Sequence, residues 1–269
     1  MSSQTESQKS SWQKFPSVDF FGVPVLKVNE QQCVQVIMDE LDSGRGGWCV
    51  TIHLNMLRQI TLDPEIKTLV ANSTFSIADG MPLVWASRLQ KNPLPERVCG
   101  SNLIYTLSAE AARRNRSIFL LGGNPGSAEK TAKILEELYP GLNIAGIYCP
   151  PLGFEQDLGQ IATITESIRS SQPDIVYVAL GFPKQERLIA LIRHACAKTW
   201  WMGVGFSFSY VAEEFKRPPI WIQKLGLESL YRVILEPKRL GKRYLLENPP
   251  FAARLLVWSC LKGLKWKNN

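Results

Sequence analysis

Histidine is scarce in this chain and its cysteines are dispersed. There are 2 His and 6 Cys among 269 residues, and the cysteines, at positions 33, 49, 99, 149, 196 and 260, form no C-x-x-C pair. Structural zinc needs clustered thiolate and imidazole ligands, so the composition argues against a metal site and for reduced thiols in a cytoplasmic protein. No apolar run reaches the roughly 18–20 residues that a bilayer-spanning helix requires. The opening MSSQTESQKSSWQKFPS has no apolar segment of the signal-peptide kind and reads as a disordered lead-in over residues 1–18. Neither a Walker A sequence nor G-x-G-x-x-G occurs, which removes the two commonest nucleotide fingerprints.

What is present is a charge asymmetry. Residues 216–269 hold 12 Lys and Arg against 3 Glu, a net of +9, whereas the whole chain is +7. Residues 1–215 therefore sum to −2. Trp, Leu, Val and Phe are interleaved with the basic residues, a pattern suited to an anionic, amphiphilic target such as a lipid head group or lipid diphosphate. Nucleic acid is the rival target, ranked last because no recognised module accompanies the charge. A solvated basic helical end is the plain alternative. The apolar residues of the tail suit a second copy of the chain as well as lipid, so a homo-oligomer is a further expectation.

Between the two ends, short apolar runs alternate with amphipathic stretches. Strands are predicted over 47–53, 74–78, 117–121, 143–148, 174–180 and 200–204. Helices are predicted over 54–71, 101–114 with Ser101 as N-cap, 127–138, 158–171 and from just past Pro183 to about 197. This alternation predicts an α/β fold with a Rossmann-like, mostly parallel sheet and helices on both faces. The predicted organisation is a core over 19–215 followed by a basic, partly helical appendage over 216–269. Ligands of such sheets bind outside the carboxyl ends of the strands. The polar and glycine-rich breaks fall there: Thr51 and His53, Asp79-Gly80, Gly122-Gly123, and Gly181 to Gln185.

Each break has a chemical and a structural reading. Asp79, directly after a strand, can act as general base on an attacking hydroxyl, or cap the helix that starts near Pro82. Thr51 can orient a phosphate or sugar hydroxyl, or be an ordinary β-branched strand residue. Gly122-Gly-Asn-Pro-Gly126 can cradle a phosphate at a helix N-terminus, or simply make a tight turn. Gln185 can donate and accept together, as recognition of a sugar or base requires. Lys184 in a first helical turn opposes the dipole preference, which favours a binding role slightly. Arg232, Arg239 and Arg243 fall near one helical face and suit a diphosphate through bidentate contacts, although Pro237 interrupts the segment. No Asp-x-Asp occurs, so a diphosphate leaving group would have to be met by arginines rather than by a bound metal.

Taken in order, TIHLNML, ADGMPLVW, ERVCGSNL, FLLGGNPGSA, YPGLNIAGIYCPPLGF, LGFPKQE, GVGFSFSYVA, KRPP and LGLESLYRVILEPKRLGKRYL resemble the WecG/TagA/CpsF glycosyltransferases from about Phe20 to Pro250. The resemblance implies a Rossmann-like core with a C-terminal appendage and no cofactor. It implies inverting, metal-independent transfer from a UDP-sugar to a polyprenyl-diphosphate-linked acceptor, by an enzyme peripheral to the inner face of the cell membrane. It implies Asp79 as catalytic base, Thr51 as its strand-end threonine, Gln185 as the glutamine of the P-K-Q-E motif, and Arg232, Arg239 and Arg243 as diphosphate-holding arginines of a tail that closes over the site.

The chain departs from the family pattern at several places. His53 stands where Asn is usual, Phe208-Ser209 where Phe-Asp is usual, and Ala212-Glu213 where Ala-Gly is usual. Arg217-Pro218-Pro219, Leu227-Glu228-Ser229 and Gly100-Ser101-Asn102 also differ. These changes motivate the alternative of a non-catalytic member of the same fold that binds a nucleotide or lipid.

Overall fold

A computed structural model describes residues 10–219, 222, 228–235 and 237–265. Six strands form one parallel sheet: β3 (Gly47–Ile52), β4 (Phe75–Ala78), β5 (Ser117–Gly122), β6 (Asn143–Tyr148), β7 (Ile175–Ala179) and β8 (Trp200–Gly203). Their order across the sheet is β4-β3-β8-β7-β5-β6. Successive side chains point to opposite faces, and the sequence supplies apolar residues at both parities. Cys49, Ile118, Leu120, Ile175, Tyr177, Trp200 and Met202 pack on one face with α1 (Glu30–Asp42), α5 (Gly100–Arg113) and α6 (Ser127–Leu138). Trp48, Val50, Ile52, Phe119, Leu121, Val176, Val178 and Trp201 pack on the other with α2 (Leu54–Leu62), α3 (Pro64–Ala71), α4 (Met81–Leu89), α7 (Leu158–Ser171) and α8 (Lys184–Ile192). The expected parallel sheet covered on both faces is present.

Several boundaries differ from expectation for identifiable reasons. The single helix expected over 54–71 is two, because Pro64 has no N–H to continue the ladder and the Asp63 carboxylate accepts from Glu65 N–H at 2.9 Å to start α3. Ser101 is not a cap: α5 begins at Gly100, its N-cap is Cys99, and no side chain caps it. The helix expected to run to 197 ends at Ile192 and continues as the 3-10 turn Arg193–Cys196.

The lead-in expected to be disordered to residue 18 has structure from Ser11 onward. Trp12 and Phe15 pack partly buried against the core, and Ser11 N–H donates to the buried Glu40 carboxylate at 2.5 Å. Burial of two aromatic rings and a pairing for Glu40 offset the polar composition that suggested disorder. An antiparallel hairpin, β1 (Ser17–Phe20) and β2 (Val23–Leu26), then precedes α1. Its turn is Phe21-Gly22, both at positive φ (+56° and +85°), the geometry that matches strand twist in a two-residue hairpin.

The appended segment is helical over Glu228–Leu235, Pro237–Gly241, Lys242–Glu247 and Asn248–Lys265. The terminal helix Asn248–Lys265 buries Phe251, Leu255, Ser259 and Gly263 on the hairpin and α4. The Trp258 ring lies 4.4 Å from Phe21, and a Cβ at Gly263 would collide with the Leu89 carbonyl. The opposite stripe, Val257, Leu261 and Leu264, is exposed. No described helix is long and apolar enough to cross a membrane.

Candidate active site

The carboxyl ends of β3 and β4 bring together Thr51, His53 and Asp79. The strands pair in register, Thr51 with Ile77 and Ile52 with Ala78, and Asp79 N–H donates to the Ile52 carbonyl at 2.8 Å. Asp79 therefore leaves the sheet one residue past its last ladder position. Gly80, at φ +153°, is the N-cap of α4, so Asp79 stands one residue before the cap. Thr51 is buried, and its Cγ2 lies 3.9 Å from where a Cβ on Gly100 would stand. His53 is the N-cap of α2: its Nδ1 accepts Met56 N–H at 3.2 Å, and its ring meets Phe182 edge-on at 6.1 Å. An accepting ring nitrogen carries no proton, so the imidazole is held with Nδ1 bare.

Two arginines to which sequence reasoning gave no site role complete this corner. Arg97 is nearly buried, pairs with Glu228 of the appended segment at 2.8 Å, and feels the charge of Asp79. Burial works against its charge, but Cys99, Glu228 and Asp79 together raise its pKa above the ordinary value. Burial, and after it the negative Asp79, push the Cys99 thiol up to about 11, so it stays protonated and is no nucleophile at neutral pH. The start of α5 adjoins this corner. Arg217 donates to Ser101 Oγ at 3.1 Å and Asn102 Oδ1 at 2.7 Å, and its own Nε is buried without a hydrogen-bond partner among the described residues. The sequence signal for Arg97 was its place three residues before α5, and that for Arg217 its place directly before two prolines.

The glycine loop after β5 is built for close packing. Gly122 and Gly123 have φ of +95° and +84°, and a Cβ on Gly122 would lie 2.8 Å from the Ala179 carbonyl. A Cβ on Gly123 would lie 3.0 Å from Phe208. The start of α6 already holds an anion. The Glu214 carboxylate accepts from Asn124 Nδ2 at 2.9 Å and from Ser127 Oγ, while Asn124 also donates to Ser209 Oγ at 3.3 Å. Burial raises the Glu214 pKa, but hydrogen bonds from Ser127, Asn124 and Ser209 outweigh it and hold the carboxyl below its usual range. Glu214 thus brings a carboxylate to Ser209, where the residue type itself supplies none. No spacing in the sequence announces a contact between residues 127 and 214.

Beyond β7, the Phe182–Pro183 peptide is cis and α8 begins at Lys184. Lys184 is ion-paired with Glu155 of the loop after β6, so its charge is engaged there. Gln185 is buried: its Oε1 accepts Gly181 N–H at 3.1 Å and Gly205 N–H at 3.2 Å, and its Nε2 donates to Glu186 Oε1 at 2.8 Å. Gln185 thus joins the loops that follow β7 and β8. Burial pushes the Glu186 carboxyl up to about 7, offset only partly by the hydrogen bonds from Gln185 and its own backbone. Arg232, Arg239 and Arg243 fall on the appended helices, but their side chains lie outside the described residues. Among the described residues, no group of three or more His, Cys, Asp or Glu is arranged to hold a metal ion.

Comparison with known proteins adds to this geometry. Residues 18–265 match the glycosyl transferase WecG/TagA/CpsF family. A relative from Bacillus subtilis (strain 168), named N-acetylglucosaminyldiphosphoundecaprenol N-acetyl-beta-D-mannosaminyltransferase, is 32% identical over 216 residues, which is 80% of this chain and 81% of the relative. Proteins of the same name from Bacillus spizizenii, over 80% of this chain and 81% of theirs, and from Staphylococcus aureus (strain NCTC 8325 / PS 47), over 84% and 87%, are each 29% identical. A match over nearly the whole chain, on a parallel sheet whose strand ends carry an aspartate and a threonine, shows that the chain belongs to the WecG/TagA/CpsF glycosyltransferase family.

Proposed function

We propose that the chain transfers an N-acetylhexosamine from a UDP-sugar to a polyprenyl-diphosphate-linked acceptor, with inversion and without a divalent metal. The observation that carries this reading is Asp79, a carboxylate at the ligand-facing end of β4 whose charge is felt by Arg97 and Cys99. In this reading Asp79 takes the proton of an acceptor hydroxyl. The hydroxyl oxygen forms a bond to the anomeric carbon as the bond from that carbon to the UDP oxygen breaks, and the electron pair leaves with the diphosphate. Arg97, Arg217 and the uncapped start of α5 supply fixed positive charge for that leaving group, and Arg232, Arg239 and Arg243 add to it from the tail. The names of the relatives support N-acetylmannosamine as the sugar and an N-acetylglucosaminyl lipid diphosphate as the acceptor.

The exposed stripe Val257, Leu261 and Leu264, with Leu245 and Leu246 in the preceding turn and Lys238 and Lys242 nearby, suits the surface of an anionic membrane. This supports a position for the enzyme at the inner face of the cell membrane, where its lipid acceptor would be. A double change Leu261→Asp/Leu264→Asp tests this without removing the docked face of the helix. Co-sedimentation with anionic vesicles should drop severalfold, and unchanged recovery would remove lipid as the target.

The deciding experiment measures UDP release from UDP-N-acetylmannosamine and other UDP-sugars, with and without a lipid-diphosphate acceptor in detergent, in EDTA. Acceptor-dependent release that survives the chelator is the expected result. Binding of UDP with no release from any donor would favour the non-catalytic reading.

A further inference from the structure

The adjacent buried residues Gln185 and Glu186 pose a problem that simple packing does not answer. Glu186 is 1% exposed, and its Oε2 has no hydrogen-bond partner among the described residues. Its neighbours on α8 do not neutralise it: Lys184 pairs with Glu155 and Arg187 with Glu65, both away from the buried site. A buried carboxyl with one oxygen unpartnered is costly, and natural proteins keep such groups where the cost has a use. Its other oxygen accepts from the Gln185 amide nitrogen at 2.8 Å.

We propose that Glu186 is a positioning residue for the transfer reaction, holding the Gln185 amide in the one orientation that ties together the strand-end loops of β7 and β8. An amide side chain can turn over and exchange its oxygen for its nitrogen. In the observed orientation Oε1 receives two backbone N–H groups, Gly181 at 3.1 Å and Gly205 at 3.2 Å. Turned over, it would set an NH₂ against those same two donors and leave all of them unpaired. Glu186 Oε1 opposes this: an unprotonated carboxyl oxygen accepts, and it holds the nitrogen end at 2.8 Å. The space is made for the pair: a Cβ on Gly203, the last residue of β8, would stand 2.8 Å from Gln185 Cδ and 3.2 Å from Glu186 Oε1. The two loops that Gln185 joins lie at the edge that carries Asp79 and Thr51, so their relative position bears on the site.

The kinetic arm of the test rests on the transferase reading, and the structural arm does not. Glu186→Met keeps the volume and removes the acceptor, whereas Glu186→Gln can still present an oxygen to Gln185. Hydrogen–deuterium exchange of peptides covering Gly181 and Gly205 should quicken by about tenfold or more in Glu186→Met and stay within about twofold of the parent in Glu186→Gln. Under the same conditions kcat should fall at least about tenfold in Glu186→Met with donor KM changed less, and Glu186→Gln should restore it. If Glu186→Met does not fold, Gln185→Met cuts the same tie and must give the same faster exchange at both loops. Unchanged exchange in the Met variant, or a Gln variant as impaired as the Met variant, overturns the proposal. Absence of turnover in the parent protein would instead count against the transferase reading, leaving the exchange result to stand or fall alone.

Discussion

Helices α5 and α6 both start at the ligand-facing edge of the sheet, and their electrostatic surroundings differ: an arginine reaches the first and a carboxylate alone the second. The first turn of α5 has no acidic residue and no side-chain cap, and Arg217 reaches it through Ser101 and Asn102. The first turn of α6 contains Glu129, and the Glu214 carboxylate is seated on Ser127 and Asn124. A helix start carries about half a positive charge, so each can stabilise an anion. At α6 the protein's own carboxylate sits on the first turn with no arginine beside it among the described residues, whereas at α5 the Glu30 carboxylate, which accepts from Asn102 Nδ2 at 3.2 Å, is accompanied by Arg217 on the same side chain. A glycine-rich turn does not by itself distinguish a phosphate site from a start already occupied by a carboxylate of the chain. On the proposed function, the α5 start is the better place for the diphosphate of a donor, and the loop Gly122–Gly126 would meet an uncharged part of the ligand.

The comparison can be tested from both sides. The largest effect is expected at the corner nearest α5: Asp79→Asn should lower kcat by about a thousandfold while UDP affinity, read by calorimetry, stays within about threefold. Equal turnover would remove the base assignment. Arg217→Gln takes a charge from the α5 start and should cost about ten- to a hundredfold in kcat/KM for the donor. Glu214→Gln removes the resident charge at α6 and should change diphosphate affinity by less than about threefold. A tenfold gain would mean that the glycine loop is a phosphate site suppressed by Glu214, reversing the comparison.

Glu186, at the start of a third helix, gives a smaller and purely thermodynamic signal. Its carboxyl titrates at about 7 when folded against 4.5 ordinarily. Below the lower value both states are protonated and nothing is lost. Between the two, the unfolded chain gives up a proton that the folded one keeps, so stability falls as pH rises and levels off above about 7. Glu186→Gln should abolish that decline, and denaturant melts on either side of the window would reveal a flat difference if the carboxyl were not titrating there.

The alternation of apolar runs carried the sheet and most of its helices, because a strand buried on both faces must be continuously apolar. It also placed Thr51, His53 and Asp79, since strand ends are visible where apolar residues stop. Pairings across long stretches of chain were not visible. Asn124 and Ser127 meet Glu214 only because α9 (Ser207–Val211) packs beside α6, and Arg97 meets Glu228 only once the appended segment has returned over the edge. Gln185 illustrates a different limit. Its motif marked it as polar and well placed, yet burial and two backbone donors turn its oxygen inward, which composition cannot reveal. Trp12 and Phe15 were obscured by the serines and glutamines around them, although two aromatic rings are enough to anchor a short segment.

The fit of Gly263 against the carbonyl of Leu89 joins two parts of the enzyme that have no sequence neighbourhood. Leu89 ends α4, and Gln90 just beyond it donates to Ser259 of the terminal helix at 3.3 Å. The other end of α4 starts at Met81, two residues after Asp79. One rigid rod of about 13 Å therefore has Asp79 at its tip and the appended helix clamped to its butt. A pull or twist on the outward leucines of that helix would be felt as a lever arm is felt at its pivot, at the aspartate.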